Sequence, residues 1–372
     1  MTDDIGSLAV ELLPARHGDC VLLTWGRGEH THRILVDAGP ATAYDDIAAR
    51  LRAIGVHALD LLVLTHVDAD HVEGTILAVN DRELGLVIGE VWFNGAPQLS
   101  QDELAPVHGE ILGAIVAARG LRWNRAFGGH AAAAPADGVL PRVPMCCRLE
   151  LTVVAPDHAT LRSLRDHWQR ACREAGLDFG DEEAALATLH TRSKLLPEDG
   201  YLGRPPAPNV DALARQRSGE DRKVANASSI VLLAECGDRR VLLAGDSTPK
   251  VLLPGLNRLL DERGTGILPL TAFKLAHHGS ANNISREIIR LVPAEHYLFS
   301  SNGSYFRHPD DTAVASVIKH APLGAELVFN YANPRTLQWQ DDRLIDDFRY
   351  RVRYPDGNDD GSVRLAWTVR HG

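Results

Sequence analysis

The most constraining feature of the sequence is an apolar run that leads directly into a cluster of charged and imidazole side chains. Residues 59–64 are rich in leucine and valine, a composition typical of a buried strand. Gly74 and the apolar residues after it indicate a helix beginning soon afterwards. Four potential metal ligands lie between these two elements: His66, Asp68, Asp70 and His71. The pattern therefore predicts ligand-type side chains at the carboxyl end of a strand.

Such a cluster is costly unless a cation compensates for it. Carboxylates and imidazoles held within a few residues repel their like neighbours and lose hydration when they are buried. A divalent metal ion is the simplest compensation. The alternative is a polar turn in which Asp68 or Asp70 caps the next helix, a role that aspartate fills well. Capping accounts for one aspartate and for neither histidine, so we expect a metal site.

The composition is that of an ordinary globular protein. The chain has 372 residues, of which 45% are hydrophobic, and its mean hydropathy is −0.14. No segment approaches the roughly 18 consecutive apolar residues of a membrane span. The N-terminus, MTDDIGS, is acidic where a secretory signal is basic and then apolar. We expect a cytoplasmic protein with no membrane partner.

The formal net charge of −10 argues against a protein that coats nucleic acid through its whole surface. It does not exclude a nuclease, because bound divalent cations offset the carboxylates of their own site. The cysteines contain no C-x-x-C pair, so they predict neither a disulfide framework nor a thiolate zinc site. Buried free thiols are expected at Cys20, Cys146, Cys147, Cys172 and Cys236.

The chain is predicted to form a single domain, with an insertion or elaboration at about residues 97–222. Strands and a helix are expected over the first 54 residues. The clearest hairpin is at 228–246, where two apolar strands flank a Gly-Asp turn. Residues 195–223 contain prolines and a charged run and are expected to form a surface segment or lid.

Strand after strand in this reading ends on an aspartate or a histidine. The residues at these strand ends are Asp37, His66, Asp246 and His277. In open α/β sheets, ligand sites lie beyond the carboxyl ends of the strands, so residues far apart in sequence can meet in one pocket. We expect these side chains to converge.

The ordered motifs of the chain resemble those of the metallo-β-lactamase superfamily. Within it, they are most similar to the hydrolase domain of the ComEC-type DNA-uptake channel. The motifs are ARHGDCVLL with ILVDAG, LTHVDADHVEG, NASSIVLLAECGDRRVLLAGD, FKLAHHGSANN and SSNGSYFRHPD. The resemblance covers about residues 8–95 and 224–330 and implies an αββα four-layer sandwich of the α/β class.

The resemblance also implies two divalent metal ions, zinc or manganese. His66 and Asp68 would bind the first ion, while Asp70 and His71 would bind the second. Asp246 would bridge the two ions, and His277 or His278 would complete the second site. Asp68 stands where the superfamily usually has a histidine, and this harder oxygen ligand favours manganese-like chemistry over zinc alone. The histidine that normally completes the first site has only His130 and His158 as candidates.

Further roles follow from the two-metal chemistry that the resemblance implies. Asp70 would orient a metal-bound hydroxide, and His278 or His308 would protonate the leaving oxygen. Asp37 would orient a ligand histidine, with a structural turn as the alternative. Ser280 would bind substrate, although a turn-forming role explains it equally well.

The expected function is that of a metal-dependent hydrolase, a phosphodiesterase or nuclease acting on DNA, with a nucleic-acid or phosphodiester substrate as partner. This expectation depends on the subfamily resemblance, because one fold supports many substrates. The alternatives are hydrolysis of a small ester, lactone or phosphocholine-type diester, and a non-catalytic subunit of a larger assembly. No P-loop, Rossmann glycine pattern or G-x-S-x-G elbow is present.

Overall fold

Two stacked β-sheets form the centre of the molecule. The computed structural model describes residues 6–28, 30–95, 98, 107–175, 207–357 and 361–370. The first sheet has six strands, in spatial order β16 (Val363–Val369), β1 (Gly6–Leu12), β2 (Val21–Arg27), β3 (His30–Val36), β5 (Leu61–Val63) and β7 (Val91–Trp92). The second has eight, in order β15 (Arg351–Arg353), β14 (Glu326–Phe329), β13 (Ala294–Phe299), β12 (Leu270–Lys274), β11 (Arg239–Leu243), β10 (Val231–Cys236), β9 (Leu149–Ala155) and β8 (Arg142–Pro144). A separate two-stranded sheet joins β4 (Ala58–Leu59) to β6 (Val87–Ile88).

Helices cover the outer face of each sheet. The first sheet is covered by α1 (Tyr44–Ala53), α2 (Ala69–Asn80), α3 (Val107–Ala118) and α4 (His158–Ala175). The second is covered by α7 (Pro249–Arg263), α8 (Arg286–Leu291) and α9 (Asp311–His320). The shorter helices are α5 (Val210–Ala214), α6 (Val224–Ala227), α10 (Pro334–Leu337) and α11 (Asp342–Phe348).

The alternation of side chains along the strands produces this layering, because successive residues of a strand point to opposite faces of a sheet. In β2, Leu22 packs with the helices of the first layer, whereas Leu23 packs against the second sheet. In β10, Leu232 belongs to the core between the sheets, and Leu233 belongs to the outer helical core. The predicted αββα four-layer sandwich of the α/β class is confirmed.

Parallel strands bring the predicted site residues to one edge of the sandwich. In the first sheet β3, β5 and β7 run parallel, and in the second sheet the strands from β11 to β15 do so. The loops that follow β3, β5, β11 and β12 therefore emerge together. The two sheets are joined there by a hydrogen bond from the Ile230 amide to the Thr65 carbonyl, at 3.0 Å.

Glycine permits a close backbone approach beside this edge. A Cβ atom on Gly74, in α2, would lie 1.7 Å from the Ala38 carbonyl oxygen. A Cβ atom on Gly18 would lie 2.1 Å from the carbonyl oxygen of Asp70. Any larger residue at either position would push the N-terminal half of α2 away from the loops after β1 and β3. These contacts therefore position the turn that contains the candidate ligands.

The hairpin predicted from the local sequence agrees with the structure. The hairpin predicted at 228–246 is β10 paired with β11 in antiparallel register. In the predicted insertion at 97–222, α3 and α4 belong to the first helical layer, and β8 and β9 extend the second sheet. The rest of that prediction lies partly outside the described residues. No helix in the described part of the chain is long and apolar enough to span a bilayer.

Candidate metal centre

Ligand-type side chains from four separate loops meet at the carboxyl ends of the strands. One ligand atom from each of four residues lies within 4.8 Å of the others, and all four side chains are buried: Asp19, His71, Asp246 and His278. Three of these were predicted from the sequence to lie at the site. Asp19 was not predicted, although it belongs to the ARHGDCVLL motif after β1.

The turn between β5 and α2 and the first turn of α2 contain His66, Asp68, Asp70 and His71. His66 Nε2 lies 3.8 Å from Asp68 Oδ2 and 3.8 Å from Asp246 Oδ2. Its ring centroid is 4.2 Å from that of His71, in a tilted arrangement. The predicted convergence of His66, Asp68 and Asp246 is therefore present in the structure.

His71 is held in place from behind by Asp37. Its Nδ1 atom lies 2.8 Å from Asp37 Oδ2, and its Nε2 atom lies 3.4 Å from Asp246 Oδ1. Asp37 also accepts hydrogen bonds from the backbone amide and the hydroxyl of Thr65, at 2.8 and 2.7 Å. This is the arrangement by which a carboxylate fixes the tautomer and the orientation of a metal-binding histidine.

The loop after β12 presents two consecutive histidines to the cluster. His277 and His278 both have left-handed backbones, with φ values of 49° and 55°, a conformation that costs energy in a residue with a side chain. His277 Nε2 lies 3.6 Å from Asp246 Oδ2. His278 Nε2 lies 3.3 Å from Asp70 Oδ2 and 3.8 Å from Asp246 Oδ2. Both imidazoles therefore face the shared carboxylate.

A carboxylate also holds each of these histidines from behind. Asp19 Oδ1 lies 3.0 Å from His278 Nδ1, and the buried ammonium of Lys274 donates to Asp19 Oδ2 at 2.6 Å. On the other ring, His277 Nδ1 lies 3.4 Å from Asp221 Oδ2 and 3.0 Å from Asn283 Oδ1. None of these four supporting residues was predicted from the sequence.

Charge inside the cluster determines where protons reside. Burial opposes ionisation of Asp246, yet the surrounding imidazoles hold the pKa of its carboxyl well below its usual value. Burial also opposes protonation of the histidines. Even so, Asp246 and Asp37 raise the pKa of His71 well above normal, and Asp19 and Asp246 raise that of His278 to about 9. Burial and the neighbouring His71 lower the pKa of His66.

The donor atoms fit a cation. Three buried polar atoms of the cluster have no hydrogen-bond partner among the described residues: His66 Nε2, His71 Nε2 and Asp246 Oδ1. Buried polar atoms are almost always paired in folded proteins, because leaving one unpaired costs about 1–3 kcal/mol. Imidazole nitrogens and a carboxylate oxygen that face one another without a partner are the donors that a metal ion would use.

The other predicted site residues lie around the cluster. His308 is buried, and its ring centroid is 5.1 Å from that of His277. Its Nδ1 atom lies 3.2 Å from Asp310 Oδ1. Ser280 is buried in the turn after His278, where its hydroxyl accepts a hydrogen bond from the Asn282 amide at 3.3 Å. The substrate-binding role of Ser280 and the acid role of His308 remain predictions.

Neither candidate for the mid-chain histidine reaches the cluster. His130 lies in the loop after the short 3-10 turn Arg125–Phe127, and His158 begins α4. Both are exposed, unlike the histidines of the cluster. The structure therefore leaves the first site to residues that lie nearer in space.

A half-open pocket of about 330 Å³ leads to the cluster. Asp68, Asp70 and Lys223 line the pocket, with the Lys223 ammonium 3.7 Å from Asp68 Oδ2. Tyr305 and Phe306 form an aromatic wall, with Tyr305 stacked against His17 at 5.2 Å between ring centroids. The pocket admits a small molecule or the end of a larger one.

Comparison with known proteins returns structural similarity alone. No protein-family model matches the sequence, and no curated protein matches it. Among solved structures, the chain is similar to the diiron beta-hydroxylase CmlA from Streptomyces venezuelae, with 15% identity and a TM-score of 0.38. A mutant of the CmlA beta-hydroxylase gives 13% identity and a TM-score of 0.40.

These alignments cover 98% and 97% of this chain but 54% of the matched chains, so the chain spans about half of their length. The similarity concerns the fold alone. The expected membership of the ComEC-type hydrolase group was wrong, because no family model matches and these similar structures are described as a beta-hydroxylase. The DNA phosphodiesterase or nuclease prediction and its small-ester, lactone, phosphocholine and scaffold alternatives are withdrawn with it. One fold can carry sites of different reaction classes.

Proposed function

We propose that the chain is a dinuclear metal enzyme that performs an oxidative reaction with iron. The observation that supports this proposal is the set of buried, unpartnered donor atoms at His66, His71 and Asp246. Buried imidazole nitrogens and carboxylate oxygens that lack a hydrogen-bond partner would be satisfied by bound cations. The cytoplasmic location expected from the sequence remains a prediction.

We assign the donors to two equivalent sets. One ion would be held by His66, Asp68 and His277, and the other by Asp70, His71 and His278. Asp246 would be shared, because its Oδ2 atom lies 3.6–3.8 Å from the Nε2 atoms of His66, His277 and His278. In this assignment each of the two adjacent histidines serves a different ion. His277 would then complete the first metal site, for which the sequence had offered only His130 and His158.

Each set contains two imidazoles and one carboxylate, in addition to the shared carboxylate. Two imidazoles and one carboxylate are the donor combination of the non-haem Fe(II) oxygenases, which keep further coordination positions open. Four protein donors would saturate a zinc ion, because a catalytic zinc ion typically has three protein ligands and one open position. Iron and manganese both accept more ligands than zinc, and two imidazoles with one carboxylate are the set that non-haem Fe(II) oxygenases use, so we favour iron over the zinc or manganese expected from the sequence. When bound, a pair of ferrous ions would supply two electrons to dioxygen, the oxidant in such a reaction, and an external reductant would restore the pair to the ferrous state.

The residues around the centre would position substrate and protect the reaction. Lys223 is suited to an anionic group at the pocket mouth, because its ammonium is half-exposed and lies 5.5 Å from the ring centroid of Phe306. Tyr305, Phe306 and His17 would pack against an apolar or aromatic part of the substrate. Asp37, Asp19 and Asp221 would keep the ligand imidazoles in one orientation.

Metal reconstitution tests the proposal. Metal-free protein is loaded without oxygen with Fe(II), Mn(II) or Zn(II), and bound metal is counted after gel filtration. We expect two iron ions per chain, a Mössbauer spectrum of a coupled pair, and oxygen uptake when reduced protein is exposed to air. His71→Ala should lose these properties, whereas His57→Ala, a change at an exposed histidine, should retain them.

Two results would contradict the proposal. Binding of fewer than two ions per chain at saturating metal concentration would contradict the proposed dinuclear centre. If two iron ions bind but the protein takes up no oxygen, with or without candidate substrates that carry an anionic group, the metal centre is supported and the oxidative function is contradicted.

A further inference from the structure

A second cluster of metal-type ligands lies at the other end of the sandwich. One ligand atom from each of His32, Cys146 and Cys147 lies within 4.8 Å of the others. His32 is near the start of β3, and Asp37 follows the end of that strand. Five residues of extended chain span roughly 17 Å. This cluster is therefore separate from the candidate metal centre.

The backbone brings the two thiols together. Cys146 and Cys147 form a 3-10 turn with Arg148, directly before β9. Cys147 and Arg148 have left-handed backbones, with φ values of 52° and 63°. The result is a Cys146 Sγ to Cys147 Sγ distance of 3.2 Å. Both cysteines are exposed, so the expectation that they are buried was wrong for this pair and confirmed for Cys20 and Cys236.

His32 is held as metal-binding histidines usually are. Its Nδ1 atom lies 2.8 Å from Asp60 Oδ1, and its ring stacks on Trp25 with 5.3 Å between centroids. Asp60 therefore engages one ring nitrogen and leaves Nε2 to bind a metal. The same Trp25 donates from its indole N–H to the Cys146 carbonyl at 2.9 Å. One tryptophan thus positions both parts of the cluster.

We propose that His32, Cys146 and Cys147 form a binding site for a thiolate-preferring metal ion such as Zn(II) or Cu(I). Two thiolates and one imidazole are soft donors that select these ions. A metal–sulfur bond is about 2.3 Å long, so tetrahedral ligand atoms are roughly 3.5–4 Å apart. The present separations need a small adjustment of the thiols. Water or a further ligand would fill the remaining position around Zn(II).

The bound ion would join the two sheets. His32 belongs to the first sheet, and the cysteine turn leads into β9 of the second. A metal bonded to both sides would act as a cross-link at the end of the sandwich opposite the candidate centre. An ion that binds only the folded state stabilises it. The site would therefore raise the unfolding temperature without taking part in the reaction.

Cobalt spectroscopy tests this proposal, because thiolate-to-Co(II) charge transfer absorbs in the near ultraviolet and the candidate centre contains no thiolate. Full-length protein kept reduced is titrated with Co(II). We expect the band in the natural chain and in His71→Ala, and its loss in the double variant Cys146→Ser and Cys147→Ser. The double variant should still bind metal at the candidate centre.

A thiol count provides a second measurement, and its first comparison uses the unmodified protein. Saturating Zn(II) should protect two exposed thiols from alkylation, and Asp60→Asn should weaken that protection by about 10–100-fold. Absence of the charge-transfer band from the natural chain, its persistence in the double variant, or unchanged alkylation with Zn(II) would overturn the proposal. None of these results depends on iron at the candidate centre.

Discussion

The two ligand clusters differ in burial, in chemistry and in how the chain assembles them. The cluster around Asp246 is buried and combines imidazoles with carboxylates that come from distant loops. The cluster at Cys146 and Cys147 is exposed and combines two adjacent thiols with one imidazole. Both use a carboxylate behind a histidine, Asp37 for His71 and Asp60 for His32.

This difference shows how one sandwich can separate two kinds of metal chemistry. Burial strengthens electrostatic interactions and fixes the donors before a metal ion binds. An exposed pair of thiols adjusts more easily and selects an ion by softness rather than by a rigid cavity. We therefore expect hard, redox-active ions at the buried cluster and thiolate-preferring ions at the exposed one.

The largest effect is expected from Asp246→Asn, which alters the carboxylate shared by both ions. The asparagine amide carries no negative charge and is a weaker metal ligand than the carboxylate that both ions would share. Affinity for iron should fall by more than about 100-fold, above the 10–100-fold typical of residues behind the ligands. Equilibrium dialysis with metal analysis measures this loss.

Asp261→Asn, on an exposed part of α7, serves as the matched control and should bind two iron ions. The thiolate-to-Co(II) band should be unchanged in both variants, because the two clusters would bind metal independently. Normal iron content in Asp246→Asn would mean that the two sets do not share this residue.

A smaller effect is expected from Asp37→Asn, which leaves every proposed ligand in place. Without the carboxylate 2.8 Å from Nδ1, His71 loses its preferred tautomer and orientation. Affinity for the ion bound by His71 should fall by about 10–100-fold while the other ion remains. Mössbauer spectra of partly loaded protein distinguish one lost ion from two. Equal loss of both ions would show that Asp37 supports the whole edge of the sheet.

The last effect is gradual, because it is spread over several pH units. The pKa of His71 is raised, and that of His278 is raised to about 9, so both imidazoles hold protons near neutrality in the metal-free protein. A metal ion must displace them, and its apparent affinity should rise with pH by up to about tenfold per unit for each proton until about pH 9. Calorimetry in buffers of different ionisation enthalpy counts the protons released. Binding that releases none would place the ions away from these two histidines.

Local sequence was sufficient to predict that several candidate ligands lie together at the strand ends. The turn with His66, Asp68, Asp70 and His71 follows β5 directly, so its position depends on neighbouring residues alone. The fold class followed from the order of such motifs along the chain. The reaction did not, because the same ligand types occur in centres that hydrolyse and in centres that oxidise.

Long-range partners could not be predicted in the same way. Asp19 and the Lys274 ammonium that pairs with it are 255 positions apart in sequence, and no local pattern links them. Asp221 lies in the segment interpreted as a surface lid, yet it contacts His277. The thiol pair was missed because its partner, His32, comes from the other sheet and completes no recognisable spacing.

The buried pair of Lys274 and Asp19 helps to set the charge balance of the candidate centre. Six aspartates supply or support the donors, at positions 19, 37, 68, 70, 221 and 246. Two lysines pair with two of them, Lys274 with Asp19 and Lys223 with Asp68. The four negative charges that remain equal the charge of two divalent ions. The reduced iron pair would therefore be electrically neutral, and oxidation of both ions to the ferric state would leave two positive charges uncompensated. An anionic substrate or product would then bind most tightly to the oxidised enzyme.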